Sequence, residues 1–351
     1  MNQGLRRVGI TGTGSYVPDR VMTNDDFATQ LGLDTSDEWI RPRTGIRQRH
    51  FVTIGEQGTS DLALEASKLA LARAGRTAQD IDAIILATVT PDTIFPTTAN
   101  NLQAKLGCRP VMSFDLLAAC SGFLYSMQVG SSLIASGAAN CVLVVGAEVM
   151  SAILDFTDRA TCVLFGDGAG AVILEAVPTG GLEDSVLRSD GCKGNILHMP
   201  AGGSLKPASH ATVDAGEHYV LMEGREVYKF AVQNMREVAL ELLSRNGMTA
   251  DDLDFVIVHQ ANINIIDSCL KKLGIPIEKT WINIDRLGNT TAGTIPICID
   301  EAWRAGKLKP GDRVMLLSFG AGVTWGAVLL EWSLAMPEQI EVFPAFEAAS
   351  V

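Results

Sequence analysis

A duplicated, layered α/β protein is what this chain encodes, on the strength of an internal repeat, several continuous apolar strands and one long uncharged helix. Sliding the sequence along itself until Ala70 stands against Leu242 aligns Ala70–Leu86 (ALARAGRTAQDIDAIIL) with Leu242–Val258 (LLSRNGMTADDLDFVIV), with eight identical pairs, among them Gly75/Gly247, Thr77/Thr249 and Asp80/Asp252. Both copies read as a helix end, a glycine cap, a short acidic turn and an apolar strand. The halves also end alike, in GAVILE (Gly170–Glu175) and GAVLLE (Gly326–Glu331).

The elements follow in order. Gly12-Thr-Gly14 sits on an N-terminal strand-like run. It lacks the third glycine and the following helix of a dinucleotide fingerprint, since Val17-Pro18 stand there. Ala83–Ala87, Cys141–Val145, Phe255–Val258 and Val314–Leu317 are unbroken apolar runs, as expected of strands covered on both faces. No residue from Leu116 to Ala147 is charged. Serines, glycines, Gln128 and Asn140 interrupt that stretch, so it reads as a buried helix over about 121–136 followed by a strand, not as a membrane span. Phe165–Gly170 (FGDGAG) leads into a strand and lacks Lys-Ser/Thr, so it is no phosphate loop. The expected division is a first half over 1–176, a Gly/Pro/Ser-rich connecting insertion over 177–219, a second half over 220–335, and a loose tail over 336–351.

Composition bounds the function. The chain has 351 residues, 34 glycines and only 19% charged residues, which points to extensive burial. Its net charge of −12 argues against general nucleic-acid binding and against an anionic membrane surface as partner. Seven cysteines without CxxC spacing fit free thiols in a reducing compartment. The N-terminus reads without a signal-peptide apolar stretch, and a cytoplasmic location is expected. Five scattered histidines make no metal-ligand pattern, and no cofactor is expected. An uncharged helix that one chain cannot cover alone suggests a homodimer.

Three residues carry the chemistry. Cys120, in FDLLAACSGF, opens the uncharged helix, where orphan N–H groups and the positive helix end would favour a thiolate. His259, in VIVHQAN, ends the second-copy strand; its partner in the repeat is Ala87, so the histidine was placed in one copy only. Asn289, in RLGNTTAG, starts another helix, and a slightly shorter slide sets Cys120 against Asn289 or Thr290. A pseudo-twofold would bring the two turns to one centre. A papain-like hydrolase shares the order Cys, His, Asn, but Cys120 is followed by Ser-Gly-Phe instead of a tryptophan.

AACSGF, HQAN, GNT and FGAGVTWG, in this order, resemble the β-ketoacyl-acyl-carrier-protein synthase III family of the thiolase superfamily, from about residue 6 to about 332. The resemblance implies a thiolase-like duplicated αβαβα fold, a homodimer, and the first condensation of fatty-acid synthesis. A related ketosynthase or acyltransferase of secondary metabolism, of polyketide or quinolone type, is the alternative, and a non-catalytic decoy would have lost Cys120. Carried over by motif, Cys120 takes the acyl group from an acyl-CoA. His259 and Asn289 stabilise the enolate left when malonyl-carrier loses CO₂, and the N–H groups of Cys120 and Ala321 form the oxyanion hole. Trp39, Arg43 and Arg159 match the coenzyme A contacts. Lys229, Gln260, Ala261, Asn262, Ile263, Asn264, Lys271 and Lys272 match the carrier-protein face, where Asn264 departs from the arginine common in the family. Phe95, in TIFPTTAN, matches a residue that closes the partner subunit's acyl pocket.

Overall fold

The computed structural model describes residues 5–346. The first half runs through β1 (Val8–Tyr16), then β2 (Val21–Thr23), α1 (Asn24–Leu31), α2 (Asp37–Thr44) and β3 (Gln48–His50), which form a cap. It continues through α3 (Thr59–Arg73), β4 (Ala83–Ala87), α4 (Thr98–Leu106), β5 (Met112–Leu116), α5 (Gly122–Ala135), β6 (Cys141–Glu148) and β7 (Gly168–Ala176). The second half has β8 (Gly181–Ser189), a small ribbon of β9 (Leu197–His198) and β10 (Leu221–Met222) around α6 (His210–Asp214), then α7 (Gly224–Arg245). It closes with β11 (Phe255–Val258), α8 (Ile263–Leu273), α9 (Ile284–Leu287), α10 (Thr294–Arg304), β12 (Arg313–Gly320) and β13 (Thr324–Glu331).

Besides the two-stranded pairs β2–β3 and β9–β10, two large sheets result, in the orders β1-β7-β6-β4-β5 and β11-β12-β13-β8. The second sheet keeps only a trace of a fifth strand, the parallel bridge of Val256 with Thr280 beside β11. Alternate residues of each strand face opposite ways. Ile85, Val144 and Val172 of the first sheet, with Ile257, Leu316 and Val328 of the second, meet α5 and α10 between the sheets. Ile84, Leu143 and Ile173 face α3 and α4 on one outside, and Val256, Met315 and Leu329 face α7 and α8 on the other. This is the αβαβα layering, and it explains the unbroken apolar runs: both faces of every inner strand are covered. Each such side chain is worth roughly 1.5–3 kcal/mol when fully buried. Gly12 and Gly14 serve packing, not a nucleotide: a Cβ on either would fall 2.3 or 2.2 Å from the carbonyl oxygen of Ala70 or Ala66 on α3.

The register that sets Ala70 against Leu242 holds beyond the segment that reveals it. It carries β4 onto β11, the turn Ala119–Ser121 onto Thr291–Gly293, α5 onto α10 and β6 onto β12, first residue on first residue. The alignment of Cys120 with Asn289 or Thr290 is therefore corrected: in the common register the structural counterpart of Cys120 is Ala292. The turns still meet, and the strained position recurs, with φ +47° at Ala119 and +48° at Thr291.

Two further expectations change. Of the stretch 177–219 expected as an insertion, β8 belongs instead to the second half, because it pairs antiparallel with β13 and is the second copy of β1. Its half-exposed edge, GLEDSVLRS, has no continuous apolar run to announce it. The tail is not loose over its described part. Glu341 ion-pairs with Arg304, Phe343 meets Trp281 edge-on at 5.4 Å, and Phe346 packs against the cap cluster that includes Met22 and Phe27. Residues 347–351 lie outside the described residues.

Candidate active site

Cys120 sits in the turn between β5 and α5. The positive φ of Ala119 costs on the order of 1–3 kcal/mol and needs support from its surroundings. The second sheet supplies it: Thr324 Oγ1 donates to the Ala118 carbonyl and Ser318 Oγ to the Cys120 carbonyl, both at 2.8 Å. Gly320 completes the approach, since a Cβ there would lie 2.6 Å from the Cys120 nitrogen. The backbone around Cys120 is thus held by the opposite half of the molecule.

His259 follows β11 directly, and its N–H donates to the Leu317 carbonyl at 2.8 Å. Its ring is fully buried, edge-on to Phe319 at 5.5 Å, and neither ring nitrogen has a protein partner. Burial pushes its pKa down to about 3, so the ring is neutral and keeps one N–H to donate. Asn289 is fixed by backbone bonds to both sides of Phe165: its N–H donates to the Leu164 carbonyl, and its carbonyl accepts from the Gly166 N–H. Its Oδ1 accepts from the Thr291 N–H at 2.8 Å, which leaves the amide NH₂ as the free end.

Two cavities meet at the thiol. One, of ≈ 120 Å³, is lined by Cys120, His259 and Asn289 together with Phe319 and Tyr228. The other, of ≈ 320 Å³, is apolar, lined by Val89, Met150, Ile153 and Val220, and includes Cys120 and Ala321. The fold therefore gathers all three expected reacting side chains, with a hydrogen-bonding chamber on one side of the sulfur and a greasy one on the other. The expectation of a favoured thiolate is corrected. Burial, and then the charge of Glu148, push the Cys120 thiol up, the opposite of the direction expected from the helix end.

The other expected residues divide. Arg43 and Arg159 each place a guanidinium 4.9 Å from the centre of the Trp39 ring, and Arg159 also donates to the Asp34 carbonyl. Lys229 on α7 and Lys271 and Lys272 in the last turn of α8 are exposed; Lys229 pairs with Glu226 and Lys271 with Asp267. Gln260 is corrected: it is fully buried, donating to the carbonyls of Val258 and Trp281, so no carrier protein can touch it. Ala261 and Asn262 line the smaller cavity. Ile263 packs so closely on Gly45 that a Cβ there would lie 2.7 Å from its own Cβ. Asn264 is exposed at the surface, and its amide, like that of Asn262, donates to the Arg43 carbonyl. Phe95 is 84% exposed and lines neither cavity of its own chain. Sequence reading missed Ser318, Phe319, Thr324 and Glu148. The last had a signal, a lone charge ending the long uncharged stretch.

The profile of the 3-oxoacyl-[acyl-carrier-protein (ACP)] synthase III family matches residues 114–191, and that of its C-terminal part matches residues 243–332. The β-ketoacyl-[acyl-carrier-protein] synthase III of Caldanaerobacter subterraneus is 48% identical over 93% of this chain and 98% of its own. This chain belongs to the synthase III family. It is an acyltransferase, a condensing enzyme that initiates fatty-acid biosynthesis. The structure of the synthase III of Pseudomonas aeruginosa is 41% identical and superposes with a TM-score of 0.87 over 95% of this chain and all of its own. The priming β-ketosynthase of the R1128 polyketide pathway is 31% identical, with a TM-score of 0.87 over 95% of this synthase III and 98% of its own chain.

Proposed function

We propose that this synthase III joins an acyl-CoA starter to malonyl-acyl-carrier protein through an acyl-Cys120 intermediate. The observation that carries the reading is the junction at the thiol. A saturated acyl chain fits the apolar cavity, and a thioester carbonyl in the smaller cavity would meet His259 and Asn289. In the first half-reaction the Cys120 sulfur attacks the starter's thioester carbon and coenzyme A leaves as its thiol. The N–H groups of Cys120 and Ala321 hold the oxyanion formed on the way. In the second, the malonyl carboxylate leaves as CO₂ and its electron pair becomes an enolate. The enolate oxygen accepts hydrogen bonds from neutral His259 and from Asn289. Its carbon attacks the acyl carbon on Cys120, the tetrahedral adduct collapses with cleavage of the C–S bond, and the Cys120 sulfur leaves and is reprotonated to the free thiol. One such donor is typically worth roughly 2.7–4 kcal/mol. A thioester is exchanged for a thioester, so the nucleophile needs no large driving force.

Trp39, with Arg43 and Arg159, offers a stacking ring and cations to the adenine and phosphates of coenzyme A. Lys229, Lys271 and Lys272 offer exposed charge to the acidic carrier. A homodimer across the open edge of β5 accounts for the apolar side chains left in solvent beside it, Ile94 at 82%, Phe95 at 84% and Leu117 at 76% exposed. Phe95 would then cap the partner's acyl cavity. A cytoplasmic setting suits these substrates.

The test is intact-protein mass after incubation with acetyl-CoA, followed by malonyl-carrier with CO₂ release measured. The expected adduct maps to Cys120, is absent from Cys120→Ser, and is consumed as CO₂ appears. An adduct on another cysteine would overturn the assignment.

A further inference from the structure

Glu148 is the last residue of β6 and the first charge after the stretch that holds Cys120. It is fully buried. Its carboxyl oxygens accept from Thr88 Oγ1 at 3.0 Å, Thr90 Oγ1 at 2.6 Å, and the N–H groups of Val89 and Thr90 at 3.1 Å. All these donors belong to one short segment, 88–90, at the end of β4. Burying a carboxyl is costly unless its oxygens are satisfied. Here burial still outweighs the donors and pushes the pKa up to about 7. The segment it grips is part of the site: Val89 lines the apolar cavity at Cys120, and the loop continues to the exposed Ile94 and Phe95. The counterpart of Glu148 in the repeat is Gly320, the last residue of β12, which abuts the Cys120 nitrogen. The two copies of this strand end thus serve one cysteine differently, by close backbone approach in one half and by a carboxyl in the other.

We propose that Glu148 is a positioning residue for the acyl-transfer half-reaction: its carboxylate holds residues 88–90 as one wall of the apolar cavity at Cys120 and thereby sets which acyl chains the cavity accepts. The inference rests on the reading that Cys120 accepts the starter from acyl-CoA. All four donors reach Oε2 and the Val89 N–H also reaches Oε1, so a glutamine that keeps its oxygen at Oε2 turns its NH₂ group against the Val89 N–H and loosens the grip on this segment. Glu148 is also the charged group that bears on the Cys120 thiol, and it raises the thiol's pKa. Removing the charge therefore moves the thiol's titration to lower pH.

The experiment measures kcat/KM for Cys120 acylation with a panel of straight and branched acyl-CoAs of two to eight carbons, for wild type, Glu148→Gln and Glu148→Asp. It also records the pH profile of Cys120 alkylation by iodoacetamide. For Glu148→Gln the ratio between short and long starters is expected to change by at least fivefold, with the alkylation profile displaced to lower pH. Glu148→Asp keeps the charge, so its alkylation profile is expected to stay at the wild-type position while its selectivity moves partway. If Glu148→Gln does not fold, Thr88→Val removes a single donor and should change the ratio in the same sense by a smaller factor. An unchanged ratio in folded Glu148→Gln or, failing that, in Thr88→Val, with the wild type normally acylated, overturns this proposal alone. A wild type acylated by no member of the panel overturns the functional reading and this proposal with it.

Discussion

His259 is held neutral by burial, with its pKa pushed down to about 3 from an ordinary 6.5. In the unfolded chain the ring takes up a proton near pH 6.5, whereas in the folded chain it does not until about pH 3. Stability is therefore unaffected by this ring above pH 6.5 and is lost as pH falls from there toward 3. At ~1.4 kcal/mol per pH unit, the wild type should lose about 2 kcal/mol more than His259→Ala between pH 7.5 and pH 5, read by urea unfolding at each pH. Asn289 makes a second residue-level prediction. Its Oδ1 already accepts from Thr291, so only the NH₂ end faces the chamber. Asn289→Asp keeps the shape and removes the donor, and condensation should fall by about 10²–10³, measured as CO₂ release from malonyl-carrier. Both side chains were legible in the sequence because polar residues stood at the ends of apolar strands and turns. Ser318 and Thr324 were not, because hydroxyls that hold a neighbour's carbonyl follow no spacing rule and lie in the opposite half of the chain from what they hold.

At the scale of elements, α2 and α8 are fastened together where the carrier face was expected. The amides of Asn262 and Asn264 both reach the carbonyl of Arg43, the residue after Pro42 in α2, while Asn262 Oδ1 caps α8 through the Asn264 N–H. Arginine at 264 would bring positive charge to the mouth but break one of these bonds. Asn264→Arg should raise kcat/KM for malonyl-carrier two- to fivefold at low salt, as for an exposed ion pair, and the gain should shrink at ~1 M salt. The same variant should raise KM for the acyl-CoA, because α2 carries Trp39 and Arg43. Initial rates with each substrate varied at two salt concentrations read both effects, and a variant that moves neither would remove α2 and α8 from the docking account. The strands were legible wherever both faces are covered. β8 was not, because an edge strand shows neither a continuous apolar run nor a clean alternation.

For the whole molecule, the repeat revealed the architecture and its symmetry, since one constant register carries β4, the cysteine turn, α5 and β6 of the first half onto their copies in the second. Legibility failed at the C-terminus. Two prolines and no periodicity suggested a loose tail, yet Phe343 lies against Trp281 and within 5.8 and 5.0 Å of the guanidiniums of Arg286 and Arg304. Such contacts are made by single side chains with partners far away in sequence, which no local pattern encodes. Phe343→Ala should cost about 1–2 kcal/mol of unfolding free energy, measured by denaturant titration, from the loss of one aromatic pair and two cation–π contacts. In the proposed mechanism the reaction also divides by half-molecule: the first half would carry the acylated sulfur and the second the donors for decarboxylation. The most direct test of that division is a single preparation of His259→Ala followed through both steps, with Cys120 acylation read by intact mass and CO₂ release from malonyl-carrier read in parallel. The expected result is acylation within about threefold of wild type and CO₂ release lower by about 10²–10³. Loss of both steps together, or condensation within about threefold of wild type, would contradict it.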